Sequence, residues 1–107
     1  MTHSIDYILG DEKAREKFRS QMVSTLTQYQ GNLELRASDE EVSLVGSDEK
    51  SFYSHRLSGH FNNREADFIV EDLISAAKRV GYAPSLVHRF LLNFLVPFPN
   101  KIPLTKH

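Results

Sequence analysis

The first periodic segment of the chain is a stripe of apolar residues between residues 11 and 29. Its members recur at spacings of three and four, the repeat of one helix face, and they are Ala14, Phe18, Met22, Leu26 and Tyr29. Asp11 precedes the stripe and can cap a first helical turn, and Gly31 follows it at a position where helices commonly end. The pattern therefore predicts an N-terminal helix over about residues 11–29.

From Asn32 the apolar repeat changes to two, the repeat of a strand with one buried face. Leu33 and Leu35 alternate with polar residues, as do Val42 and Leu44, and in the third segment Tyr53, His55 and Leu57 are predicted to share one face. Phe52, Ser54 and Arg56 are predicted to lie on the opposite face. The connections between these segments are short and rich in Ser, Asp and Gly, which form tight turns. Because short connections join antiparallel strands, residues 32–57 are predicted to form a three-stranded antiparallel meander.

Two further helices are predicted after the meander. The first has an apolar face made of Ala66, Ile69, Val70, Leu73, Ala76, Ala77 and Val80. Asn62 or Asn63 caps this helix in the prediction, and Gly81 ends it. The second is predicted to begin at Pro84, because proline suits a first helical position, and to end before Pro97.

The last residues, 97–107, contain three prolines and are predicted to form an extended tail. The predicted order is then a helix, three strands and two C-terminal helices. Such an order is typical of an α+β fold, in which helices cover one face of a sheet. A chain of 107 residues is of the size of one domain, so residues 1–107 are predicted to form a single domain.

Charge is distributed unevenly along the chain. All 14 acidic residues lie at or before Asp72, so the first 72 residues, which include 8 basic residues, carry a formal charge of −6. The last 35 residues have no acidic side chain and carry a formal charge of +5, from Lys78, Arg79, Arg89, Lys101 and Lys106. This division indicates a surface for an anionic partner, although the same basic residues can also be scattered over solvated faces. The absence of cysteine and the ordinary 40 % apolar content predict a soluble cytoplasmic protein, and the longest apolar run, FLLNFLVPF, is too short for a membrane span of about 20 residues.

The stretch AAKRVGYAPSLVHRFLLN, residues 76–93, resembles the helix-turn-helix of DNA-binding repressors of the lactose-repressor-like type. In that family an Ala lies four residues before a turn Gly, as Ala77 lies before Gly81 here. Apolar residues stand six and nine residues after the Gly, where this chain has Val87 and Phe90. In the family this unit opens the chain, whereas here it lies near the end.

The resemblance implies a small non-enzymatic regulator that associates with double-stranded DNA. Lys78 and Arg79 would contact phosphates, as would the lysines of the tail. Arg89 would bond a guanine edge, and Ser85 and His88 would read bases or position the helix. One recognition helix reads few base pairs, so the resemblance also implies a homodimer, joined through the apolar remainder of the last helix.

A protein–protein interaction module, acting as an adaptor or inhibitor, remains open as the alternative. Its acidic turns, Asp39–Glu41 and Asp48–Glu49, would face a basic partner, or the apolar last helix would form the contact, and the helix pair would be structural. His55, His60 and Asp67 match no strong metal-ligand spacing, so no metal site is predicted. The sequence contains neither a phosphate-binding glycine loop nor a nucleophile elbow, so no catalytic residue, enzymatic activity or cofactor is predicted.

Overall fold

The computed structural model describes residues 10–38, 40–57, 64–84 and 100–106. Their helices and strands, in chain order, are α1 (Glu12–Thr27), β1 (Leu33–Ala37), β2 (Glu41–Gly46), β3 (Ser51–Arg56), α2 (Arg64–Arg79), β4 (Tyr82–Pro84) and β5 (Asn100–Lys106). The strands form one five-stranded sheet in the order β3-β2-β1-β5-β4, and all neighbouring strands are antiparallel. The fold is therefore α+β, as predicted, but the predicted arrangement of its C-terminal elements is wrong.

Helix α1 begins where the sequence indicates. One carboxylate oxygen of Asp11 accepts the backbone N–H groups of Lys13 (3.0 Å) and Ala14 (3.3 Å), which satisfies two of the free donors of the first turn. Phe18, Met22 and Leu26 are fully buried along one face, on the predicted helical repeat. The periodicity thus located both the helix and the side chains that it buries.

Both helices cover one face of the sheet, which we call the inner face, and the core lies between them. Helix α2 packs on β1, β2 and β4 and against α1. Phe18 of α1 meets Tyr53 of β3 edge to face, with ring centroids 5.0 Å apart. The predicted apolar face of α2 is buried except for Val80, which is half-buried. In the ranges given above, no helix is both long enough and apolar enough to cross a membrane.

The three-stranded meander is confirmed, with one change in the direction of a side chain. Leu44 pairs with Tyr53 and Val45 pairs with Ser51, so Phe52 is an extra residue in β3 and forms a β-bulge. The bulge interrupts the alternation of faces. Phe52 therefore packs against the core and meets Tyr29 edge to face at 4.8 Å, instead of lying on the opposite face as predicted.

The second C-terminal helix does not begin at Pro84 as predicted, because Pro84 lies in β4. Gly81 ends α2 with a φ of 96°, a left-handed conformation that glycine adopts without strain, and the chain then enters β4. Tyr82 is 1 % exposed and donates its hydroxyl to the Gly31 carbonyl (2.7 Å), so it anchors β4 to the core. Tertiary packing of this tyrosine outweighs the local preference of proline for a first helical turn. The remainder of the predicted helix, residues 85–96, lies outside the described residues.

The prediction of a separate extended tail is also wrong. Residues 100–106 form β5 inside the sheet, between β1 and β4. Ile102 and Leu104 alternate onto the inner face and are buried. Each strand residue points its backbone groups to one side, and successive residues alternate between the two sides. Counting from the bond between Ser38 N–H and the Glu41 carbonyl (2.9 Å), the nitrogen of Pro84 points away from β5, and the nitrogen of Pro103 points away from β1. The pairings of β5 with β4 and with β1 therefore do not need an N–H from Pro84 and Pro103, respectively.

Candidate interaction surface

Only two of the five residues predicted to contact DNA lie in the described part of the chain. Lys78 and Arg79 lie in the last turn of α2, while Ser85, His88 and Arg89 lie outside the described residues. The apolar segment expected to join a homodimer lies there too. The helix-turn-helix arrangement itself is contradicted at Pro84, where its second helix should begin and where the chain is in β4 instead.

Arg79 is engaged within the protein and is therefore a poor phosphate contact. It donates from Nη1 and Nη2 to the two carboxylate oxygens of Glu16 (2.9 and 3.0 Å), which joins the end of α2 to α1. Hydrogen bonds from Arg79, and then from Arg19, lower the pKa of Glu16 from 4.5 to about 2. The same pairing with Glu16 raises the pKa of Arg79.

A buried carboxylate, Asp72, lies at the centre of the contact between α1 and α2. Arg15 donates from Nε to Oδ2 and from Nη2 to Oδ1 (2.9 Å each), and Arg19 donates from Nη1 to Oδ1 (2.6 Å). The side chain of Asp72 is 1 % exposed, and those of Arg15 and Arg19 are 14 % and 12 % exposed. Glu12 and Glu16 meet the outer sides of these guanidinium groups. We call Arg15, Arg19, Asp72, Glu12, Glu16 and Arg79 the interhelical ion network; it contains three cations and three carboxylates.

The interhelical ion network was missed in the sequence although a signal for it exists. Asp72 falls on the apolar stripe of α2, three residues after Ile69 and four before Ala76, where a charge needs a buried partner. Arg15 and Arg19 are four apart and therefore share one face of α1. The helical repeat of the sequence does not show that these faces of α1 and α2 contact each other, so the ion pairs could not be predicted from it.

The second face of the sheet, which we call the outer face, is mostly polar and only partly exposed, since Val45 (6 % exposed) and Ser43 (9 % exposed) on it are buried. Cross-strand register places one row of side chains side by side on β3, β2, β1 and β5, namely Ser54, Ser43, Arg36 and Lys101. Arg56 pairs with Glu41 in the neighbouring row, and Glu34 pairs with Pro103. The outer-face residues that are exposed to solvent are Glu41, Ser54, Arg56, Lys101, Pro103 and Thr105.

Charges on the outer face are balanced. Arg36 donates to Glu34 from Nε, and to Glu49 in the β2–β3 turn from Nη2 (2.9 Å), which raises the pKa of Arg36. Glu41 accepts the hydroxyl of Ser54 (2.8 Å). Arg56 and Lys101 complete a set of three cations and three carboxylates on or beside this face.

The basic residues of the C-terminal third are scattered rather than gathered. Lys101 lies on the outer face, Lys78 is exposed on the helical side, and Arg79 is bound to Glu16. Lys106 lies over the ring of Tyr82, with its Nζ 5.7 Å from the centroid. The uneven charge of the sequence therefore does not translate into one basic surface among the described residues.

The two acidic turns cannot act as one patch. They lie at opposite ends of β2, which spans Glu41–Gly46, so they are separated by about 17 Å at the usual rise of a strand. Glu49 is moreover paired with Arg36, and Asp39 lies outside the described residues. An interaction that uses both turns at once would need a partner that spans the sheet.

His55 of β3 lies beside a carboxylate of α2. Its Nε2 lies 3.0 Å from Glu65 Oε1, so the first turn of α2 is joined to β3 by a histidine–carboxylate pair. Burial raises the pKa of Asp67, while His60 lies outside the described residues. Over the described ranges, no group of three or more potential ligands could hold a metal ion. The His55–Glu65 pair is thus a link between a helix and a strand.

Comparison with known proteins identifies no relative. The chain matches no protein-family model, no curated protein and no solved structure. The resemblance to lactose-repressor-like proteins therefore stays a prediction from residues 76–93, and DNA binding stays untested.

Proposed function

We propose that this protein is a non-enzymatic protein-interaction module, an adaptor or inhibitor, which binds its partner through the outer face of the sheet. The observation that supports this best is the pair of neighbouring cations on that face, in which the half-buried Arg36 of β1 lies beside the exposed Lys101 of β5. Arg36 and Lys101 are direct cross-strand neighbours of like charge, an arrangement that has an energetic cost in a sheet, and Lys101, unlike Arg36, has no carboxylate within 4.0 Å among the described residues. A partner carboxylate placed against Lys101 would remove that cost.

The charge balance favours a protein over a nucleic acid as the partner. Affinity for DNA comes largely from cations that neutralise phosphates and release counterions. The outer face offers three cations with three carboxylates on or beside them, so it has little net attraction for a polyanion. Interfaces between proteins are polar at their rims and combine both signs of charge.

The helical side of the molecule has a structural role in this proposal. The interhelical ion network uses its guanidinium groups within the protein, and the buried faces of α1 and α2 form the core. Both helices are thereby fixed on the inner face, and the partner is proposed to bind the opposite face. The residues that bind the partner in this proposal are then Arg36, Arg56 and Lys101.

Two charge reversals test the proposal. Lys101→Glu changes the outer face, and Lys78→Glu is the matched control on the helical side; both lysines are exposed, and neither has a carboxylate within 4.0 Å among the described residues. Affinity capture from an extract of the native host would identify proteins retained by the unchanged chain, and calorimetry with the purified partner would then compare the variants. We expect Lys101→Glu to weaken binding about tenfold or more and Lys78→Glu to leave it within about twofold.

Equal binding by the two variants would contradict the use of the outer face. A mobility-shift titration with duplex DNA at two salt concentrations provides the second control. Retention of the DNA that weakens steeply with salt would overturn the choice of a protein partner, since such dependence reports phosphate contacts.

A further inference from the structure

The two edges of the sheet are protected unequally. Strand β4 is an edge of only three residues, and Pro84 within it has no N–H to offer. Strand β3, at the other edge, is six residues long and contains no proline. Ser51, Ser54 and Arg56 along it are exposed. An edge of this length is a template for a further strand, and β3 lacks the protection that β4 has.

The backbone groups that face outward from β3 can be identified. The N–H of Leu57 donates to the Glu40 carbonyl (2.8 Å), so these residues form a hydrogen-bonded pair. Such pairs alternate along an antiparallel ladder, and the residues between them turn their N–H and C=O groups to the other side. Ser54 and Arg56 therefore direct their backbone donors and acceptors away from β2, toward the side of β3 on which the described residues form no further strand.

The side chains at this edge define what a sixth strand would carry. On the outer face Arg56 is exposed and has no carboxylate within 4.0 Å among the described residues, because its cross-strand neighbour Glu41 accepts the Ser54 hydroxyl instead. On the inner face the half-buried residues Phe52 and Leu57 border the edge. A strand laid against β3 would thus meet a cation on one face and apolar surface on the other.

We propose that β3 binds an extended acidic segment of a partner protein as a sixth strand of the sheet. Backbone bonds to Ser54 and Arg56 hold the segment, an acidic side chain contacts Arg56, and alternate apolar side chains contact the inner side near Leu57. This proposal rests on the proposed function and names its binding mode.

A second copy of the chain is a poorer occupant, because antiparallel pairing of two β3 strands through Ser54 and Arg56 brings the two arginines close together. The bulge at Phe52 leaves only Tyr53–Arg56 in regular register, so a short segment is expected to bind with a Kd on the order of 10 to 100 µM.

Three variants of β3 separate the backbone from the side chains. Ser54→Pro removes the outward N–H, Ser54→Ala removes only the hydroxyl, and Arg56→Glu reverses the charge. Decapeptides selected from a random phage-displayed library on the unchanged full-length chain serve as the probes, and fluorescence anisotropy measures their affinity. We expect selected peptides that alternate acidic and apolar residues. We expect Ser54→Pro and Arg56→Glu each to weaken them about tenfold or more, and Ser54→Ala to change affinity by less than about threefold.

The amide hydrogens of Ser54 and Arg56 give a readout on the unchanged protein, since both should exchange more slowly with solvent when the peptide is bound. Equal affinities of Ser54→Pro and Ser54→Ala, unchanged exchange at both amides, or selected peptides without acidic residues would overturn strand addition. The two proposals fail separately. If Lys101→Glu abolishes partner binding and Ser54→Pro does not, binding through the outer face is supported and strand addition is wrong. If Ser54→Pro abolishes binding and Lys101→Glu does not, strand addition at β3 is supported and binding through the outer face is wrong.

Discussion

Replacing Asp72 by asparagine tests whether the interhelical ion network holds the two helices together. The substitution keeps the size of the side chain but removes its charge, and it puts an N–H₂ group where guanidinium donors now point. Asp72 accepts three hydrogen bonds from Arg15 and Arg19, at 2.6–2.9 Å, in a site where its own side chain is 1 % exposed. Both arginines would then lose their buried counter-charge.

The expected loss of stability follows from that burial. Removing one partner of a buried ion pair costs about 3–5 kcal/mol, because an uncompensated charge remains in a poorly solvated place. Glu12 and Glu16 still contact the guanidinium groups, so we expect the lower end of this range, about 3 kcal/mol. For a domain of this size such a change lowers Tm by about 10–20 °C.

Urea unfolding followed by circular dichroism measures this loss. Glu71→Gln is the matched control, since Glu71 is the adjacent residue of α2 but is exposed, and surface changes of this kind stay within about 0.5 kcal/mol. The midpoint should fall for Asp72→Asn while the slope is unchanged, which marks a change in stability and not in the unfolded state. Similar midpoints for the two variants would refute a stabilising role for Asp72.

Three further outcomes follow from the same contacts. The pKa of Glu16 is lowered from 4.5 to about 2, so its stabilising contribution is present above pH 4.5 and is lost as the pH falls toward 2; the difference in Tm between the unchanged chain and Glu16→Gln should shrink over that interval. Gly81→Ala should lower the free energy of unfolding by about 1–2 kcal/mol, because φ is 96° there, and chemical denaturation measures this directly. Tyr82→Phe removes the hydroxyl donated to the Gly31 carbonyl and should cost about 1–1.5 kcal/mol by the same assay.

Local periodicity was sufficient to predict α1 and the meander. Phe18, Met22 and Leu26 lie on a helical repeat, and Leu33 and Leu35 lie on a strand repeat; in both segments the pattern itself determines which face is buried. The bulge at β3 could not be read in this way, because an extra residue leaves the composition of the strand unchanged.

The C-terminal part of the fold depends on contacts that are distant in sequence. Pro84 suits a first helical turn, and Pro103 argues against a central strand, so both local signals pointed away from a sheet. The sheet forms nonetheless because Tyr82 is anchored at Gly31, far earlier in the chain, and because the nitrogen of Pro103 points away from β1 and so is not needed for that pairing. Tertiary pairing outweighs local propensity at these positions.

The candidate surface was even less accessible to sequence reasoning. Arg79 was predicted to be free for phosphate, and only the packing of α2 on α1 places it against Glu16. Arg36 and Lys101 are 65 positions apart, and only the register of β1 with β5 makes them neighbours. The row of outer-face side chains crosses four strands, so the order of residues in the sequence does not reveal it.

The most direct test of the central claim is site-specific photo-cross-linking in the native host. A benzophenone amino acid is placed at Lys101 on the outer face or, in a second strain, at Lys78 on the helical side; both positions are exposed. If the outer face binds the partner, irradiation should yield a discrete protein adduct from position 101 and none from position 78. Adducts from position 78 alone, or equal adducts from both positions, would contradict the assignment of the outer face as the interaction surface.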